Sequence, residues 1–280
     1  MEPILSAKKI TKKFGGMIAV NSVDLEIYPK EIVGLIGPNG AGKTTFFNSI
    51  TGFYKCDGGK VIFDGKDITS KTTFQNCKEG MARTFQIVQP FGEMTSLENV
   101  MVGAFNRTNS YDVAMEKAKK WIEFVGMAEK MDDRLATLNI GDQRKLEMAR
   151  ALATEPKLLL LDEVMAGLTP AEIDGVIDLV KKIRESGTTV LMIEHIMKAL
   201  MQLSDRVVVL EHGEKIAEGT PEEIANNDRV IESYLGSAYK KAYEKAKQQE
   251  LAEPQVEAPV EVTPVVAAPV EVKKATDAAN

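Results

Sequence analysis

EIVGLIGPNGAGKTTFFNSI, Glu31 to Ile50, is the stretch on which the reading of this chain turns. Its opening, IVGLI (Ile32–Ile36), is a short unbroken apolar run, as expected of a strand buried on both faces. Its close, TTFFNSI, reads as a helix. Between them GPNGAGKT, Gly37 to Thr44, satisfies G-x-x-x-x-G-K-[ST] with a strand before it and a helix after it. Glycines let backbone N–H groups curl around phosphate oxygens without Cβ clashes. The candidate phosphate site is the loop Gly37, Pro38, Asn39, Gly40, Ala41 and Gly42 with the helix start Lys43, Thr44 and Thr45. Lys43 would bring charge to β- and γ-phosphates, the Thr44 hydroxyl would ligate Mg²⁺, and the helix N-terminus would add its dipole. A mere glycine-rich turn is the alternative, and the full motif in context argues against it.

Outward from this loop, ILSAKKITKKF, AVNSVDLEIY and GKVIFDGKDI alternate apolar runs with turn residues and read as strands. Residues from about 92 to 154 read as helical, AMEKAKKWIEFVGM most clearly. KLLLLDE and TTVLMIEH are again short apolar runs of the doubly buried kind. AEIDGVIDLVKKIRESG between them has helical period and stops at Gly187. DRVVVLEHGEKIAEG reads as a closing hairpin. The alternation predicts an α/β fold with a parallel core. LLLLDE ends in Asp162 and Glu163, about 120 residues after the glycine loop. An acid at the tip of a buried strand can hold a Mg²⁺ shell. A second acid beside it can orient and deprotonate an attacking water.

The 280 residues carry a formal net charge of −6 and no long basic run, which argues against a nucleic-acid partner. Cys56 and Cys77 lack metal-ligand spacing and read as reduced thiols. The start MEPILSAKK lacks the apolar stretch of a secretion signal, and no apolar run approaches the roughly 20 residues of a membrane span. A soluble chain is expected, able to dock on a membrane protein. After Gly236 the composition changes. YKKAYEKAKQQELAE reads as a charged helix. Pro254, Pro259, Pro264 and Pro269 then recur every five residues in a Pro/Val/Glu/Ala-rich stretch. That spacing forbids a helix and favours extended, solvated chain. The expected division is therefore 1–236 as one domain, with a helical part at about 92–154, and 237–280 as a charged helix and disordered tail.

GPNGAGKTT, the glutamine of RTFQ (Gln86), LNIGDQ, LLLLDE and the histidine of TVLMIEH (His195) stand in the order found in the ATP-binding cassette family, and the chain resembles that family over about residues 4–236. The resemblance implies a P-loop NTPase of the ABC type: a RecA-like parallel-sheet core, an antiparallel β-subdomain and a helical subdomain. It also implies two cassettes paired head to tail with ATP and Mg²⁺ between them. Gln86 would contact Mg²⁺ and sense the membrane subunits, and His195 would reach the γ-phosphate as the switch histidine. Phe14, in KKFGGMIAV, would stack on adenine. His212, in LEHGEK, reads as a turn residue and receives no role.

LNIGDQ, Leu138 to Gln143, is on its own a capped helix start: Asn139 is a good N-cap, and Asp142 puts a carboxylate near the dipole's positive end. It also stands where the family has LSGGQ, which caps the γ-phosphate of the ATP held by the opposite subunit. Asn139 replaces the usual Ser and Asp142 the usual Gln, while Gly141 is retained. An Asn amide can still donate. Asp142 should weaken phosphate binding unless it points away or binds locally. The doubt falls only on the site this chain completes in its partner.

ARTFQ, EMTSLENVMVGAF and DEVMAGLTPAEI resemble, more finely, the ATPases of branched-chain amino acid importers. That subgroup implies a different second cassette, so a heterodimer rather than a homodimer, and two transmembrane permease subunits through which alone the chain meets the membrane. The implied place is peripheral, on the cytoplasmic face of a prokaryotic inner (plasma) membrane. The rivals are a lipopolysaccharide-export cassette, a non-transport cassette of DNA repair or ribosome work, and a P-loop kinase or GTPase.

Overall fold

The computed structural model describes residues 2–85 and 91–234. Gln86 and the expected tail, 237–280, lie outside the described residues.

β1 (Leu5–Phe14) and β2 (Met17–Ile27) pair as an antiparallel hairpin. The chain then enters β3 (Ile32–Ile36), the strand read first from the sequence, and after the glycine loop α1 (Lys43–Ile50). β4 (Gly58–Phe63) and β5 (Lys66–Asp67) rejoin the hairpin, giving a four-stranded antiparallel sheet in the order β2-β1-β4-β5. α2 (Thr73–Glu79) and β6 (Met81–Arg83) follow. The stretch read as helical holds α3 (Ser96–Ala104), α4 (Tyr111–Phe124) and α5 (Ile140–Leu152). Between α4 and α5 run two short 3₁₀ turns, Ala128–Lys130 and Leu135–Thr137, so the helical stretch is interrupted there.

β7 (Leu158–Asp162), α6 (Pro170–Glu185), β8 (Thr189–Ile193), α7 (Met197–Leu203), β9 (Arg206–Glu211), β10 (Glu214–Gly219) and α8 (Pro221–Ala225) complete the numbered elements, and a last helical turn runs through 228–234. The second sheet has the order β10-β9-β3-β8-β7-β6. All its pairings are parallel except the closing β9–β10 hairpin. Each parallel pair needs a crossover, and helices supply most of them, covering the sheet on both faces.

Every residue of β3, β7 and β8 is buried. The two-residue period of a strand divides them between two cores. Leu158 and Leu160 face α1, with Phe46 and Phe47, and the antiparallel sheet's Leu5, Ile27 and Phe63. Leu159 and Leu161 face Val100 of α3, Leu146 of α5 and Val180 and Ile183 of α6. Each such leucine contributes roughly 1.5–3 kcal/mol by leaving water. α6 starts at Thr169 with a capping box to Glu172 and Pro170 in the first turn. Its C-cap is Ser186, and Gly187 directly after it turns the chain at φ +102°.

Candidate nucleotide site

The C-terminal ends of β3, β8 and β7 lie side by side, because β8 sits between the other two. In parallel α/β sheets ligands bind at such ends. β3 delivers Gly37 to Thr45, β7 delivers Asp162 and Glu163, and β8 delivers Glu194 and His195. A cleft of about 540 Å³ is lined by Asn39 to Thr45, Glu163 and His195, with Phe14, Met17 and Ile18 at the antiparallel sheet's end. His212, given no role from sequence, also lines it.

Two of the loop's glycines, Gly37 and Gly42, are required by contacts as well as by torsion. Gly42 has φ +97°, and a Cβ there would lie 2.4 Å from the Ala19 carbonyl oxygen. A Cβ on Gly37 would lie 2.1 Å from the Leu210 carbonyl oxygen. Gly42 is also the N-cap of α1, which has no side-chain cap and no acid in its first turn. By contrast α2, α3, α6 and α8 each begin with a Thr capping box. The sequence of α1 thus leaves its N-terminal donors and dipole for an anion. Lys43 is buried and donates from Nζ to the carbonyls of Gly37 (2.6 Å) and Pro38 (3.1 Å), folded back over the cradle. Burial lowers its pKa, against the pull of Glu163 and Asp162. The Gly37 N–H donates to the Tyr234 hydroxyl at 2.6 Å, which ties the loop's start to the last described helix.

Asp162 is buried, and Arg83 Nη2 lies 3.3 Å from its Oδ2. Its N–H donates to Thr84 Oγ1 at 3.1 Å. Burial raises the pKa of this carboxyl, and Arg83 is the main influence against that. Asp162 Oδ1 is buried without a hydrogen-bond partner, an orphaned acceptor. That atom and the exposed Thr44 hydroxyl fit a Mg²⁺ ion, which takes one or two carboxylates plus phosphate oxygens rather than an all-protein cage. Among the described residues no group of three or more His, Cys, Asp or Glu is placed to hold a metal ion by itself.

Glu163 stands at φ +51°, a costly conformation for a side chain with a Cβ. Its N–H donates to the Ile193 carbonyl at 2.9 Å. Its Oε1 lies 2.7 Å from His195 Nε2. A carboxylate only accepts, so the imidazole carries the proton of this bond. Glu194, between β8 and His195, is 3% exposed. It accepts from the backbone of Met165 and His195, and burial pushes its pKa up to about 7. Phe14 lies edge-on to Tyr54, with centroids 5.3 Å apart, and presents its ring at the cleft rim.

Asn139, Gly141 and Asp142 lie in a separate hollow of about 300 Å³, with Lys145, Leu168, Glu172 and Gly175. One chain therefore does not bring them to its own cleft. Asn139 Oδ1 accepts from the Asp142 N–H at 2.8 Å, the expected cap. The Asp142 carboxylate binds locally, with Lys130 Nζ 2.5 Å from its Oδ2.

Sequence reasoning missed Arg83, Glu194, Tyr54 and Tyr234. Arg83 stands inside ARTFQ, yet only the β6–β7 pairing reveals its partner. The others are ordinary residues until the fold sets Tyr54 against Phe14, the Tyr234 hydroxyl on the Gly37 N–H and Glu194 on the Met165 N–H.

The ABC transporter family model matches residues 20–166, and the model of branched-chain amino acid ATP-binding cassette transporters matches 214–240. The high-affinity branched-chain amino acid transport ATP-binding protein LivG of Escherichia coli K12 is 44% identical over 253 residues, covering 85% of this chain and 99% of that protein. A nucleotide-free ATP-binding cassette from an ABC transporter superposes with a TM-score of 0.77 at 35% identity, over 84% of this chain and 100% of the other. A dimeric cassette in a post-hydrolysis state, bound to ADP and Pi, gives 0.71 at 25% identity, over 78% and 98%.

Proposed function

The chain belongs to the ATP-binding cassette transporters, and from that premise we propose that it is the ATPase subunit of an amino-acid importer whose cargo is the branched-chain class. The Escherichia coli relative's name and the matched residues 214–240 support that cargo over lipopolysaccharide export. The enzyme is an ATPase that works as one of two cassettes on membrane permease subunits. We assign it to the cytoplasmic face, with a different cassette as partner. No helix among the described residues is long and apolar enough to cross a membrane, and we assign attachment to the permease.

The observation that carries the mechanism is the meeting of Glu163 and His195 over the uncapped start of α1. In this reading Phe14 stacks on the adenine, and backbone N–H groups of Gly40 to Thr45 hold the phosphates. Lys43 leaves its carbonyl partners for the β- and γ-phosphates. Asp162 and Thr44, with Gln86, would hold Mg²⁺, which supplies charge neutralisation on the phosphates. Glu163 accepts a proton from the attacking water as its oxygen bonds to the γ-phosphorus, and ADP leaves with the electrons of the broken bond. Without nucleotide the His195 Nε2–H is given to the Glu163 carboxylate; with ATP bound that same N–H turns to the γ-phosphate. Asn139 and Gly141 serve the ATP of the opposite cassette.

A groove of about 600 Å³ between α2, β6, α3 and α5 is rimmed by exposed Phe53, Phe74, Phe85, Val102 and Phe105. We assign it to a permease segment. Its floor includes Arg83, which touches Asp162, so an occupant would reach the site.

The test is the ATPase rate of the purified complex in vesicles with its solute-binding protein. Stimulation by leucine, isoleucine or valine, abolished by Glu163→Gln, is expected. Equal stimulation by unrelated solutes, or none by these three, would overturn the cargo assignment.

A further inference from the structure

Asp142 puts a fixed negative charge in the first turn of α5, the turn that the reading above aims at the phosphates of the partner's ATP. The present inference rests on that reading. Left alone, the carboxylate would oppose a polyanion. The fold does not leave it alone. The 3₁₀ turn Ala128–Lys130 lies against the start of α5, and Lys130 Nζ stands 2.5 Å from Asp142 Oδ2. The Asp142 side chain is 11% exposed and that of Lys130 41%. Around the hollow the other charges are Lys145, one turn further along α5, and Glu172. Glu172 is already engaged, accepting from the Thr169 N–H and hydroxyl at 2.8 and 2.7 Å. Among the groups that line the hollow, Asp142 and Glu172 against Lys145 leave one negative charge, and Lys130 is the cation paired with Asp142, with Asp133 and Glu129 as its other acidic neighbours.

We propose that Lys130 is a positioning residue for ATP bound at the opposite cassette: it neutralises Asp142 and turns it aside, so that the start of α5 keeps its attraction for phosphate. The Asn139 cap and the small Gly141 can then face the nucleotide as the usual sequence would. The site completed by LNIGDQ is competent because of an ion pair that sequence alone does not reveal.

The experiment uses the assembled complex with Lys43→Ala in this chain, so that bound ATP reports on the partner's site. Lys130→Met should weaken ATP binding there about 10-fold at low salt, the order expected of one uncompensated charge near a phosphate. The defect should shrink as salt rises, because screening acts on charge and not on packing. Lys130→Arg should bind like the parent, and Lys130→Met with Asp142→Gln should recover. Circular dichroism melting of each variant separates loss of fold from loss of charge. Gly141→Asp is the control for the underlying reading. If it weakens the partner's site while Lys130→Met does not, the ion-pair proposal alone is overturned. If neither weakens it, the reading of LNIGDQ falls, and the proposal with it. A double variant as weak as Lys130→Met would also overturn the proposal.

Discussion

Glu163 pairs strain with function: a positive φ, a backbone bond to Ile193 and a side chain aimed at His195. As the proposed base, its replacement by Gln should leave ATP binding intact and slow hydrolysis by about 10²–10⁴-fold. A rate near the parent's, measured in the complex, would remove it from the mechanism. Lys43→Ala should act on affinity instead. Charged hydrogen bonds are each worth about 1.5–3 kcal/mol, so binding should weaken about 10-fold or more by calorimetry. Glu194 offers a pH test. Its carboxyl titrates near its ordinary 4.5 when unfolded and at about 7 when folded. Its stabilising contribution is thus complete below pH 4.5 and is lost as pH rises to about 7, because only the unfolded chain ionises there. Glu194→Gln does not titrate and can still accept from the Met165 N–H. Its melting temperature minus that of the parent should therefore climb between those pH values, and a flat difference would contradict the assignment.

Helix starts separate the elements by task. α2, α3, α6 and α8 satisfy their first donors with Thr boxes, while α1 keeps its donors open behind glycine. α5 is capped by Asn139 and yet presents its first turn to the hollow. Helix packing makes its own demand at Gly103 of α3, where a Cβ would lie 2.1 Å from the Arg150 carbonyl oxygen of α5. Gly103→Ala should therefore cost about 1–3 kcal/mol by overpacking, read as a lower denaturant midpoint. An unchanged midpoint would mean that α3 and α5 separate freely. Most strands and the main helices were legible because their periodicity is local. α2 and β6 were not: TFQNCKE has no strong apolar stripe, and a three-residue strand is set by its pairing with β7.

For the whole molecule, the described residues fold about two apolar clusters that the parallel sheet divides, with a smaller third cluster beside β9. Tyr234 bonds to Gly37, so the chain is needed at least that far. Beyond the family match at 240, the sequence has prolines at a spacing that opposes packing, and mostly small apolar residues. A chain cut after residue 240 should keep its melting temperature and its ATP affinity. Loss of either would assign the remaining segment to the fold.

The sequence alone determined what local rules encode. Unbroken apolar runs mark doubly buried strands, and GPNGAGKT marks an open helix start for phosphate. DE at a strand tip marks the acids, and Asn139 marks a cap. Each depends on neighbours within a turn or a strand length. The tertiary structure decided what depends on distant segments: the strand order that brings Glu163 within reach of His195, 32 residues on, the burial that orphans Asp162 Oδ1 and sets Arg83 against Asp162, and the turn that places Lys130 on Asp142. Charge and burial act through space, so the sign of Asp142's effect could not be read from LNIGDQ until the fold supplied its counterion.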